Sequence, residues 1–135
     1  MASYLHVFTT HGSLRPFGVS TILGCANFSN PSSPSPELYC VEPNGESYRY
    51  LACVSGKGSQ AAKTELERLD FETLTVEECL HHLVNIFETI QDPSRDGDYE
   101  LELSRMCEGT GWKHEHVPLD EVLTLQALGM EEEEG

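Results

Sequence analysis

The chain has 135 residues, enough for one domain that buries roughly two-thirds of its unfolded surface. Acidic residues outnumber basic ones 23 to 8, for a net charge of -15; such a surface repels phosphate backbones and anionic lipid, which excludes nucleic acid and membrane surfaces as first expectations and favours basic protein surfaces. Met1 to Leu5 lacks the basic and apolar regions of a signal peptide, and no apolar run nears the roughly 18 residues of a membrane span, so a soluble, intracellular chain is expected.

Met1 to Leu14 opens abruptly on a helix-like cluster of Tyr4, Leu5, Val7 and Phe8. Val19 to Ala26 is a short, β-branched, nearly continuous apolar run, the pattern of a strand covered on both faces. Asn27 to Pro36 holds three prolines and four serines without periodicity and reads as a surface loop. Leu38 to Val41 and Tyr48 to Val54 flank Glu42-Pro43-Asn44-Gly45, where proline presets φ and Asn-Gly tolerates the left-handed region; a hairpin follows.

Ser55-Gly56-Lys57-Gly58 turns into a helical pattern with Ala62, Leu66 and Leu69 on one face. The next helix begins with a capping box, Thr75 and Glu78, beside a staple of Leu74 and Cys79, and its expected core stripe is Val76, Leu80, Leu83, Phe87 and Ile90. Asp92 before Pro93 should end it. Tyr99 to Ser104 alternates apolar and polar residues, and Trp112 to Val117 follows Gly109-Thr110-Gly111, which predicts a second hairpin. Asp120 is placed to cap a last helix through Leu128, with Gly129 as its left-handed stop and Glu131 to Glu134 as a solvated, disordered end.

Strands and helices are thus segregated as βββ, αα, ββ, α, an α+β arrangement of two sheets in a layered core with helices outside. Few residues carry chemistry. The five cysteines, Cys25, Cys40, Cys53, Cys79 and Cys107, are odd in number, have no CxxC pair and no adjacent cation, and read as reduced, mostly buried thiols. His81 and His82 point about 100° apart on a helix. His114 and His116 share a strand face with Trp112, but a third ligand is not placed by the sequence, so no metal is assigned. Gly56-Lys57-Gly58-Ser59 lacks the full spacing of a phosphate loop and is expected to serve a tight strand-to-helix turn.

Tyr4-Leu5-His6, then Arg15-Pro16-Phe17-Gly18, then Val19-Ser20-Thr21-Ile22-Leu23-Gly24, in that order, resemble the middle of an α-type subunit of the proteasome core particle. Gly56 to Glu67 is similar to the helix that crosses the outer face in that family, and Glu100-Leu101-Glu102-Leu103-Ser104, His114-Glu115 and the acidic tail most resemble its alpha type-3 class. The resemblance covers nearly all of Tyr4 to Leu128 and implies the C-terminal part of an N-terminal-nucleophile-hydrolase-like four-layer αββα sandwich, with the N-terminal half absent. Residues 1–128 would be a partial subunit domain and 129–135 an acidic C-terminal tail. With half of the sandwich missing, open sheet edges and apolar interior would be exposed, and the isolated chain is expected to be marginal or aggregation-prone.

The resemblance implies a non-catalytic structural subunit, or a truncated form of one, in the α-ring that supports ubiquitin-dependent protein breakdown, with other α subunits, β-ring subunits and regulatory particles as partners and cytoplasm and nucleus as location. It implies no catalytic, cofactor or metal residue. The alternatives are a threonine hydrolase fragment and a truncated isoform that does not assemble. The proteolytic relatives use an N-terminal threonine activated by its own amine. Thr9 and Thr10 are interior to the chain, and removal of Met1 would expose Ala2, so both threonines are read as structural. Glu131 to Glu134 would give weak attraction to basic partner surfaces.

Overall fold

In a computed structural model of the chain, the described residues are 1–92, 94, 97 and 99–133, the last five by backbone alone. They divide into two compact units, Met1–Ser55 and Gly56–Gly135. The expected order of elements is present, preceded by a short helix.

The first unit begins with α1, Ala2–Thr10. Tyr4 and Phe8 stack one turn apart with ring centres 5.1 Å from each other, and Phe17, from the Arg15-Pro16-Phe17-Gly18 turn, sets its edge on Phe8 at 4.7 Å. Three strands follow, β1 Thr21–Asn27, β2 Ser35–Val41 and β3 Ser47–Tyr50, in an antiparallel sheet of order β1-β2-β3. Thr21 pairs with Val41 and Asn27 with Ser35, while Leu38 pairs with Tyr50 and Val41 with Ser47.

The β2–β3 hairpin forms where the sequence places it. Gly45 has φ +87°, and its N–H donates to the Glu42 carbonyl at 2.9 Å. The strand expected through Val54 stops at Tyr50. Continuing the register would set Ala52 against Pro36, which has no N–H to offer a ladder. Pro36 is tolerated in β2 because β3 does not reach that far, leaving β1 as its one strand neighbour among the described residues.

The expectation for β1 is overturned. Ile22, Leu23, Gly24 and Cys25 are all exposed, so neither face of its middle is covered. A strand buried on both faces needs a layer on each, and Met1–Ser55 supplies only one nine-residue helix besides the sheet.

The second unit starts with α2, Ser59–Leu66, which buries Ala62 and Leu66; Leu69 lies beyond its end. Helix α3, Val76–Ile90, carries the capping box in full: Thr75 Oγ1 accepts from Glu78 N at 3.3 Å, and Glu78 Oε2 accepts from Thr75 N at 2.8 Å. It ends at Ile90, ahead of Asp92, as the sequence predicts; Pro93 lies outside the described residues. Its core stripe is rotated from the expected one. Leu80 and Val84, one turn apart, face Leu101, Leu103, Val117 and Val122, whereas Val76 and Phe87 remain 39% and 45% exposed. Val84 has no exposed surface at all, because the core lies on its side of the helix and not on that of Phe87.

The second hairpin is shorter than predicted. Leu101 and Leu103 are buried and Glu100 and Glu102 exposed, so the alternation is real, but ladder pairing is confined to β4, Ser104–Arg105, and β5, Glu115–His116. Between them Glu108–Thr110 forms a turn of 3-10 helix, held by Thr110 Oγ1, which accepts from Cys107 N and donates to the Lys113 carbonyl. The last helix, α4, is Leu119–Glu133. It begins before Asp120, which lies in its first turn beside Glu121, where carboxylates favour the helix dipole. Gly129 does not stop it: the helical backbone continues into Glu131, Glu132 and Glu133, good helix formers that offset the roughly 1 kcal/mol cost of a helical glycine. The end expected to be disordered is therefore helical as far as Glu133; Glu134 and Gly135 lie outside the described residues.

Candidate functional site

The chemistry-bearing residues of the sequence are scattered and mostly engaged in structure. Thr9 Oγ1 donates to the His6 carbonyl at 2.7 Å, and Thr10 Oγ1 donates to the His6 and Val7 carbonyls, so both hydroxyls close the last turn of α1. His81 and His82 have ring centres 6.4 Å apart on α3; His114 and His116 meet edge to face at 5.0 Å. No cluster of three or more metal-ligating side chains occurs among the described residues. Gly56 and Gly58 take φ +102° and +73°, and a Cβ on Gly58 would come within 2.6 Å of Ile90 Cγ2. Backbone reversal and close packing of α2 on α3 thus account for these glycines.

All five cysteines are free thiols, but their burial differs from the expectation. Cys25 is exposed, because its strand is uncovered, and only Cys40 is buried. Burial pushes the Cys40 thiol up to about 11, helped by its hydrogen bond to Glu42 Oε1 at 3.4 Å, so it stays protonated and unreactive near neutrality.

Polar clusters that the sequence does not announce tie elements together. Glu37 accepts from Asn27 Nδ2 at 2.9 Å and from Tyr39 Oη at 2.8 Å and lies 3.4 Å from the Arg49 guanidinium; these hydrogen bonds first, and Arg49 after them, hold its carboxyl below the usual glutamate range. Arg105 donates to Glu121 at 2.9 Å with Glu77 and Glu115 at 3.6 and 3.7 Å. Burial works against its charge, but the three carboxylates outweigh it and raise the guanidinium pKa. Gln126 Nε2 donates to Glu88 at 2.7 Å, and partial burial together with the hydrogen bond to that same carboxylate pushes Tyr99 up to about 12. Each cluster joins side chains from different elements, which is a structural role.

A cleft of about 150 Å³ between α2 and α3, lined by Arg68, His82, Asn85 and Thr89 among others, is smaller than the roughly 300 Å³ at which small-molecule sites begin. The candidate functional surface is instead the open sheet of the first unit. Ile22 and Leu23 in β1, Val19 and Phe28 to either side of it, Tyr48 and Tyr50 in β3 and Leu51 just after it are all exposed. Several exposed large apolar residues on one small sheet are the character of a protein-binding surface. Sequence reasoning missed it because the same apolar run that predicts burial also makes an interface.

Comparison with known proteins gives the surface a context. The proteasome subunit family model matches residues 1–104. The chain is 38% identical to proteasome subunit alpha type-3 of Acanthamoeba castellanii over 137 aligned positions, which cover 99% of the chain and 52% of the relative. It is 39% identical to the protein of the same name from Arabidopsis thaliana, with coverage of 98% and 52%, and 41% identical over 120 residues to that from Oryza sativa, with coverage of 89% and 46%. The chain therefore spans about half the length of these relatives. Matched over residues 1–104 and similar to alpha type-3 subunits along nearly its whole length, the chain belongs to the proteasome subunit family.

Proposed function

We propose that the chain acts as a non-catalytic structural component of an α-type ring of the proteasome core particle, in the cytoplasm and nucleus, supporting ubiquitin-dependent protein breakdown carried out by other subunits. The observation that carries this reading is its similarity along nearly its whole length to proteins named proteasome subunit alpha type-3. The uncovered sheet of the first unit supports it, since that surface suits assembly better than isolation. Thr9 and Thr10, whose hydroxyls are spent on helix carbonyls, support a structural over a hydrolytic role. Its partners would be other α subunits and β-ring subunits, with regulatory particles reached through the acidic end of α4 by salt-dependent attraction to basic surfaces.

The test is co-purification. A tagged full-length chain expressed in cells should be recovered with α and β core subunits in particles resolved by native electrophoresis, and the purified chain alone should cleave no peptide substrate. Absence from core particles at both low and moderate salt would overturn the assembly reading. That outcome would favour the alternative of a truncated product that stays outside the particle.

A further inference from the structure

Cys40 and Cys53 bring two thiols together inside the first unit. Cys40 is buried in β2, and Cys53, half-buried, follows β3 after a bend at Leu51 and Ala52. The β2–β3 register ends with Leu38 against Tyr50, so strand pairing does not bring the two cysteines opposite each other. The chain folds back after Tyr50 instead, and the two sulfurs stand within hydrogen-bonding reach.

The contact has a direction. Cys40 carries one thiol hydrogen and has two acceptors for it, Glu42 Oε1 at 3.4 Å and the Cys53 sulfur. Burial pushes the Cys53 thiol up, and the hydrogen bond from Cys40 works in the opposite direction. Negative charge on sulfur is thus better tolerated at Cys53 than at Cys40, which burial and Glu42 both keep protonated. Glu42 is itself anchored: its Oε2 accepts from Ser20 Oγ at 2.8 Å, while Oε1 meets Cys40. Cys25 is no rival for Cys40. It is the register partner of Glu37, whereas Cys40 is that of Ile22, so the two thiols leave opposite faces of the sheet.

We propose that Cys40 and Cys53 form a reversible redox pair that takes a small disulfide of the glutathione type as its oxidant. Cys53 gives up its proton and attacks one sulfur of the oxidant; a mixed disulfide forms, and one small thiolate leaves and takes up a proton. The Cys40 sulfur then attacks the Cys53 sulfur of that mixed disulfide, its own proton passing to Glu42 Oε1 and on to solvent, and the second small thiolate leaves and is protonated. One disulfide is made in the chain and one is broken in the oxidant, and the two electrons lost by Cys40 and Cys53 are carried off in two small thiols. Cys40 remains inert toward reagents in solution, as its burial requires, and reacts only because its target sulfur is already beside it. The bond ties the segment after β3 to β2 and removes the hydrogen that Cys40 gives to Glu42.

The full chain, reduced and freed of reductant, is incubated at neutral pH with mixtures of oxidised and reduced glutathione, quenched in acid, alkylated and mapped by peptide mass. Tryptic cleavage after Arg49 separates the two cysteines, so a bond between them appears as two joined peptides. The expected product has lost two hydrogens, links Cys40 to Cys53 and is restored by dithiothreitol. Cys40→Ser should instead accumulate glutathione on Cys53, and Cys53→Ser should leave Cys40 free. Glu42→Gln should slow closure of the mixed disulfide about tenfold or more, while leaving glutathione attachment to Cys53 unchanged in a Cys40→Ser background. Far-UV circular dichroism checks that the reduced variants are folded; mapping of the parent chain needs no variant. No disulfide at any glutathione ratio, a lasting Cys53 adduct in the parent chain, a preferred link through Cys25, Cys79 or Cys107, or glutathione on Cys40 in Cys53→Ser would each overturn the pair. Closure indifferent to Glu42→Gln would overturn the role given to Glu42.

Discussion

Asn27 of β1, Tyr39 of β2 and Arg49 of β3 reach one carboxylate, that of Glu37, so a single side chain gathers all three strands of the larger sheet. Its pKa is lowered from 4.5 by the Asn27 and Tyr39 hydrogen bonds and by Arg49, and the sign of the consequence follows. The folded state favours the ionised form, so the stabilisation is complete above the ordinary glutamate pKa and is lost as the pH falls through the lower folded value. Glu37→Gln should lower the melting midpoint at pH 7, and the gap between variant and parent should narrow as the pH drops below about 4.5. Thermal melts followed by circular dichroism at a series of pH values check this; a gap that widens on acidification would sink it. Nothing in the sequence marks Glu37 for this role, because Asn27 and Arg49 come to it only through the β1–β2–β3 register, which depends on a seven-residue loop and a turn acting together.

Elements whose signals are local formed as the sequence predicts. The capping box of α3 is contained in Thr75 to Glu78, and Thr75→Ala should cost about 1 kcal/mol in denaturant or thermal unfolding. The β2–β3 turn is similarly local, yet Gly45 has a second constraint that the sequence hides. A Cβ there would lie 2.7 Å from His6 Cβ and 2.8 Å from the Ala2 carbonyl oxygen, on top of φ +87°. Gly45→Ala should therefore destabilise by about 1–3 kcal/mol, while Gly12→Ala, with nothing within 4 Å and no positive φ, should be neutral or slightly stabilising. Equal effects of the two substitutions on the unfolding midpoint would contradict the packing of α1 on the turn. Where an element depends on distant partners the sequence was less legible. The stripe of α3 turned toward Val84 because Leu101, Leu103, Val117 and Val122 lie there, and periodicity alone admits either neighbour. The run from Val19 to Ala26 announced an apolar environment without saying that Ile22, Leu23 and Cys25 would be exposed.

At the scale of the whole molecule the dominant feature is the uneven division of charge. Twenty of the 23 acidic residues and six of the 8 basic ones fall in Gly56–Gly135. Two opposing effects act there. Arg105 is held by Glu77, Glu115 and Glu121, and Lys63 and Arg68 pair with Glu67 and Glu65, all attractions that salt weakens. Against them stands the mutual repulsion of the remaining carboxylates. Exposed pairs contribute about 0–1 kcal/mol each, and the excess of acidic over basic residues leaves most carboxylates without such a partner, so repulsion should win. Trp112, the single tryptophan, lies in this half and reports on it by fluorescence. Raising sodium chloride from about 0.01 to 0.15 M shortens the screening length from about 30 to 8 Å, and the Trp112-reported melting midpoint should rise over that interval and then level off. Chloride is the right anion, since sulfate would stabilise by exclusion from the surface whatever the charge. A midpoint that falls with sodium chloride would mean that the Arg105 cluster outweighs the repulsion, and Arg105→Met, which removes the cluster's centre, would then have to reverse the sign of the salt effect.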